Sequence, residues 1–224
     1  MHKINPYIYI LVLLLSGSLI AQDIWIPDPI FKIRLLTHDP LIDTNEDGEI
    51  QQNEALAVTT SLYLSGDTAS EQNIIDLTGI EAFINLKTIN ASNNELTSID
   101  VSQLLALENL RVNNNNISQI DVSQNAALKL LSMYNNSLSS LDVTNNLNLR
   151  SLLVSQMSLE NLDISQNILL RDLVVENCSL SNINLTQNTK LEIIILNNNP
   201  LQEINLSTTP LLEELELITT QITS

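Results

Sequence analysis

Aromatic side chains are almost missing from this chain, at 3% of 224 residues. Cysteine occurs once, as Cys178, so no internal disulfide can form and stability must come from packing or from a metal. Glycine occurs four times (Gly17, Gly48, Gly66, Gly79), always before Leu86, so every later tight turn needs another residue. Basic residues are scarce: 9 Lys and Arg stand against 26 Asp and Glu, a formal net charge of −17. Such a field repels phosphate backbones and anionic lipid, which argues against nucleic-acid and membrane-surface binding. Histidine is limited to His2 and His38. No Ser/His/Asp set, Cys/His pair, phosphate-cradling glycine loop or zinc cluster can be assembled, so the chain is not expected to be an enzyme.

Long apolar runs are confined to the N-terminus. Lys3 supplies a positive start, Ile8 to Leu15 is a short apolar stretch, and "SGSLIAQ" follows. Residues 1–21 therefore read as a secretory signal peptide, with no cysteine at the cleavage region to carry a lipid. The protein is expected to be secreted or at the cell surface. No later segment is apolar for long enough to span a bilayer.

What is present is a repeat. At a shift of 21 residues, "LTSIDVSQL" (96–104) returns as "ISQIDVSQN" (117–125), "LSSLDVTNN" (138–146), "LENLDISQN" (159–167), "LSNINLTQN" (180–188) and "LQEINLSTT" (201–209). Between these lies a looser half: "LKTINASNN" (86–94), "LENLRVNNN" (107–115), "LKLLSMYNN" (128–136), "LRSLLVSQM" (149–157), "LRDLVVENC" (170–178), "LEIIILNNN" (191–199) and "LEELELITT" (212–220). Both halves approximate L-x-x-L-x-L-x-x-N. Leu110 and Val112 are two residues apart, so a short strand turns both inward and leaves Arg111 outside. One coil cannot bury such a set alone, whereas stacked coils make a continuous core. The expected architecture is a right-handed α/β solenoid with a parallel sheet and with short second strands or 3-10 segments on the opposite face. Asparagine is expected at the corners, where it tolerates left-handed backbone.

On these motifs the chain resembles the leucine-rich-repeat family, in the nested bacterial type that carries the motif twice per 21-residue coil. The resemblance implies a buried asparagine ladder at Asn94, Asn115, Asn136 and Asn199, interrupted by Met157, Cys178 and Thr220.

The two halves differ in what they show to solvent. Asp100, Asp121, Asp142 and Asp163 form one recurring row, continued by Asn184 and Asn205. Local hydrogen bonding to the following Ser or Thr explains that row better than a cation stripe does. The variable half places Leu153, Val174 and Ile195 in one outward column, with Leu130 and Ile193 beside it. Arg111 and Tyr134 share this face. An apolar ridge with a tyrosine is a candidate surface for binding another protein or a glycan. The competing reading is a structural spacer carrying some effector or sorting domain. A third outward row runs Lys87, Glu108, Lys129, Arg150, Arg171, Glu192 and Glu213; pairing of its three successive cations with nearby carboxylates such as Asp172 explains it better than recognition of an anionic group.

Residues 22–60 form a separate cap containing "DTNEDGEIQQNE" (43–54). Asp43, Asn45 and Asp47 fall at positions 1, 3 and 5 of an EF-hand loop, Gly48 at 6, the carbonyl of Glu49 at 7 and Glu54 at 12. A hard cation needs several oxygens converging from one short loop, so a structural Ca2+ is expected here. Asp28-Pro29 should start the entering helix and "QNEALAV" the exiting one. A cap of this kind ahead of leucine-rich repeats resembles the internalins, and the resemblance implies that it shields the first coil. Residues 61–224 are the array, which ends at "QITS" as a new half-unit opens; this reads as truncation.

Overall fold

The computed structural model describes residues 22–66, 72–218 and 220–221; the expected signal peptide, 1–21, lies outside them. Helices α1 (Pro29–Leu36) and α2 (Gln52–Ala57) form the cap. Eight three-residue strands follow: β1 (Ser61–Tyr63), β2 (Thr88–Asn90), β3 (Asn109–Arg111), β4 (Leu130–Ser132), β5 (Ser151–Leu153), β6 (Asp172–Val174), β7 (Ile193–Ile195) and β8 (Glu214–Glu216). They pair in chain order as one parallel sheet. This is a leucine-rich-repeat solenoid. On the opposite face each coil passes through tight turns, with a 3-10 segment, Ile80–Ala82, at the equivalent place in the first.

The central residues of β1 to β7 form the innermost column. Leu62, Ile89, Leu110, Leu131, Leu152, Leu173 and Ile194 are register neighbours and fully buried. Two residues on, Ala91, Val112, Met133, Val154, Val175 and Leu196 fill a second column, also fully buried. Each such aliphatic is worth about 1.5–3 kcal/mol against exposure, and the identical spacing lets the columns stack without gaps.

Corners are made without glycine. Asn93, Asn114, Asn135, Gln156, Asn177 and Asn198 all have positive φ, between 51° and 58°. Their amides also stack outside the coil, with Asn114 Nδ2 donating to Asn93 Oδ1 at 2.6 Å and Asn135 Nδ2 to Asn114 Oδ1 at 3.0 Å. Gly66 is required for a different reason, since a Cβ there would lie 1.7 Å from the carbonyl oxygen of Asn93.

The asparagine ladder is present at the expected positions. Asn115 Nδ2 donates to the carbonyls of Ala91 and Val112, both at 3.0 Å, while its Oδ1 accepts the N–H of Leu96. Asn136 and Asn199 repeat the pattern one and four coils on. Asn94 takes the same place at the top of the array. At Cys178 the thiol makes only long contacts, 3.4 Å to the Glu176 carbonyl and 3.9 Å to that of Val154.

A second ladder runs through the more regular half. Asn125, Asn146, Asn167 and Asn188 are fully buried, each donating to two carbonyls of the preceding coil at 2.9–3.0 Å. Two rows of amides thus satisfy the corner carbonyls that a coil of this shape turns inward.

The cap continues the same core. Phe31 and Leu35 of α1 are fully buried in one cluster with Leu62, Leu64 and Ile74 of the first coil. α1 begins at Pro29 with Asp28 as its N-cap. Arg34 clamps the joint, its guanidinium donating to the carbonyls of Leu64 and Gln72 and to Asn94 Oδ1. Burial lowers the Arg34 pKa, partly offset by the nearby Asp28 carboxylate.

Candidate functional site

Two places carry the residues singled out above: the outer face of the sheet and the loop between α1 and α2.

Register fixes the sheet face. The third residue of each strand faces outward, giving the column Tyr63, Asn90, Arg111, Ser132, Leu153, Val174, Ile195, Glu216. Leu153, Val174 and Ile195 are consecutive neighbours, so the ridge is continuous. Each is half-buried, because strands about 4.8 Å apart shade one another's side chains. Ile193 flanks Ile195 on the same strand. Leu130 stands apart from it: along the first-residue column, Ser151 and Asp172 intervene and bond to each other. Arg111 is half-buried at the polar end of the column.

The next outward positions turn out differently. Tyr134 is exposed, but Ser92, Asn113, Ser155 and Asn197 are buried. The chain bends at the left-handed residue that follows, which folds these side chains over the adjacent strand. Asn113 Oδ1 accepts both the Ser132 hydroxyl at 2.8 Å and the Tyr134 N–H at 3.0 Å. Ser132, only 2% exposed, is therefore part of the scaffold rather than the contact surface. Tyr63 was not legible as a face residue, since β1 and β2 are 27 residues apart in register and break the 21-residue period. It is exposed and extends the face toward the cap.

The aspartate row is structural. Asp100, Asp121, Asp142 and Asp163 each accept the N–H two residues on, at 2.8–2.9 Å, and Asn184 and Asn205 do the same. These bonds lower the pKa of all four acids. The Ser102 and Ser165 amides dominate for Asp100 and Asp163, the Ser123 and Thr144 side chains for Asp121 and Asp142.

In the cap, Gly48 (φ 83°) makes the sharp turn of the loop. Asp43, 5% exposed, accepts the N–H groups of Asp47 and Gly48 at 3.3 and 3.0 Å. Asn45 Oδ1 accepts from Asp47 N–H, and Asp47 Oδ1 from Glu49 N–H. Glu49's side chain pairs with Lys32 of α1 at 2.6 Å, leaving its carbonyl for the loop. Glu54 reaches back from α2 to the N–H and hydroxyl of Thr44 and to the Gln51 N–H. Burial raises the Glu54 pKa, but these donors outweigh it and hold the group below its ordinary value. The Asp47 pKa is also lowered, first by the Glu49 amide and then by Gln51. The oxygens suit calcium by type, yet the Gln51 carboxamide nitrogen lies 3.1 Å from both Asp47 oxygens and from Asp23. Among the described residues no set of three or more His, Cys, Asp or Glu side chains is gathered as a metal cluster. Where a paired loop would add a strand, residues 22–24 do so: Ile24 N–H donates to the Ile50 carbonyl at 2.8 Å.

His38 lies in the cap beside the Pro40 carbonyl, whereas Cys178 is buried in the array with its pKa raised by burial. The two do not meet. No helix among the described residues is long and apolar enough to cross a membrane.

No protein-family model and no curated protein matches the chain. Solved structures do. Internalin C2 from Listeria monocytogenes superposes with a TM-score of 0.67 at 18% identity, covering 88% of this chain and 87% of its own. The functional domain of InlJ from the same organism gives 0.63 at 21% identity, covering 79% of this chain, which spans 43% of that structure. A further internalin, InlF, gives 0.53 at 19% identity, covering 88% of this chain and 71% of its own. The shared feature is the leucine-rich-repeat solenoid. InlJ's domain includes a cysteine ladder; here asparagines form the columns and Cys178 contributes one thiol.

Proposed function

We propose that this chain is a secreted or cell-surface repeat protein that binds another protein on the outer face of its sheet. The observation that carries the reading is the ridge of Leu153, Val174 and Ile195, three aliphatic side chains on adjacent strands where the scaffold requires none. Tyr134 and Tyr63 are the exposed aromatics of that face, and aromatic anchors dominate most protein contacts. The opposite face, by contrast, spends its recurring residues on its own turns. The internalin-like fold supports the same use, because a solenoid offers an extended surface whose outward residues can vary without disturbing the core.

The cap holds the first coil closed, and we infer that calcium stabilises it. Asp43, Asn45 and Asp47, the Glu49 carbonyl and Glu54 would hold the ion. It would neutralise acids that the loop otherwise satisfies with its own amides.

The test is affinity capture with the intact secreted chain as bait. Replacing Tyr134, Leu153 and Val174 together by alanine should abolish capture of the partner. Replacing Asp100, Asp121 and Asp142 should leave it intact. Loss in the second variant alone would place the binding surface on the other side of the coil.

A further inference from the structure

A second outward row is more exposed than the ridge. The residue after each ladder position of the regular half recurs as Ile84, Leu105, Ala126, Leu147, Ile168 and Thr189. Ile84 is 44% exposed, Leu105 63%, Leu147 54% and Ile168 53%, and the two smaller residues are exposed as well. The side chain just before each is buried, so the turn itself pushes this position out. Large aliphatics in four of these six coils, aligned along the molecule, form a patch of the kind that marks a contact surface.

Its flank carries unusual charge. Three residues along each coil stand Lys87, Glu108, Lys129, Arg150, Arg171 and Glu192, a cation-rich row in a chain of net charge −17. Two molecules this acidic can approach most closely where carboxylates are fewest.

We propose that this row is where two copies of the chain pack side by side, running in opposite directions. Placing the two-fold axis between the coils of Ala126 and Leu147 sets Leu105 against Ile168 of the second copy and Ile84 against Thr189. Leu147 then enters the notch left by the small side chain of Ala126, twice by symmetry. The same axis keeps both sheets on one side, so the charged rows run alongside each other. Glu108 meets Arg171 and Lys87 meets Glu192, each exchanging with a pair already made inside its own chain, Lys129–Glu108 at 2.5 Å, Lys87–Glu108 at 4.0 Å and Arg171–Glu192 at 2.8 Å; the Lys129–Glu108 bond also softens the like pair Lys129 and Arg150. A partner must have the same rise per coil to stay in step along such a row, and a second copy has it by identity. The row is about 24 Å long and would cover roughly 500 Å² per copy, less than the ~800 Å² of a standard interface. The dimer should therefore dissociate on dilution.

Sedimentation velocity over a concentration series of the intact chain tests this. A monomer–dimer equilibrium is expected, lost in Leu147→Asp and unchanged in Val174→Asp on the sheet ridge. Glu108→Arg and Arg171→Glu should each weaken the dimer, and the double variant should restore it. That charge exchange decides the matter even if Leu147→Asp folds poorly. A monomer at every concentration, a dimer that survives Leu147→Asp, dissociation by Val174→Asp, or no restoration in the double variant each overturns the proposal.

Discussion

The carboxylate of Asp28 accepts the backbone N–H of Ile75, 47 residues away, at 2.8 Å. Its Oδ2 also takes the N–H of Asp76, while Oδ1 caps α1 through Ile30 and Phe31. One side chain, 3% exposed, thus serves the cap and the first coil together. Asp28→Ala orphans donors on both sides and should cost about 3 kcal/mol in chemical denaturation, since bonds to a charged group contribute about 1.5–3 kcal/mol each. A loss no larger than that of an ordinary exposed helix cap, about 1 kcal/mol, would show that the joint is held by packing alone.

Met157 occupies a ladder position with no amide to offer. The neighbouring coils place carbonyls for Asn136 and Asn199 by a fixed offset, so an asparagine at 157 should find Met133 and Val154 in the same way. Met157→Asn should raise stability by about 1 kcal/mol. A melting temperature that stays level or falls would mean the coil has closed around the methionine.

Much of this architecture is legible in the sequence. The 21-residue period placed the leucine columns and the strand positions, because apolar spacing and stacking allow one solution, and the family resemblance supplied the first asparagine ladder. Pro29 and Asp28 marked the start of α1 in the same local way. The second ladder was missed although Asn125, Asn146, Asn167 and Asn188 recur as regularly, because the resemblance assigned one column only. Asn113 and Asn197 fall where alternation along a strand would put surface residues, yet both are buried. Their burial depends on a left-handed turn one residue later, a bend that alternation along a strand does not report. Tyr63 lay outside the period altogether.

The aspartate row makes stability depend on acid. Hydrogen bonds lower the folded-state pKa of Asp100, Asp121, Asp142 and Asp163 below the unfolded value of about 3.9. Their contribution is present above that value and is lost as pH falls through the lower folded values. The melting temperature should hold near neutrality and drop below pH of about 4. Replacing all four by asparagine keeps the acceptor, as Asn184 and Asn205 show, and should flatten the drop. An unchanged acid slope in that variant would assign the effect to other carboxylates.

Calcium should act on the cap first. Thermal melts in calcium should run higher than in chelator, and Asp43→Ala should remove the difference. Identical transitions in both conditions would leave the loop as a purely hydrogen-bonded turn, with Gln51 supplying what a cation otherwise would.

The most direct test is a substitution scan of every outward position on the array, read by capture of the binding partner. Sensitivity is expected to peak at Leu153, Val174 and Ile195 and to fade through Tyr134 toward the polar end at Arg111. A map in which those three tolerate change while losses gather on Asp100, Asp121, Asp142 and Asp163 would contradict the account.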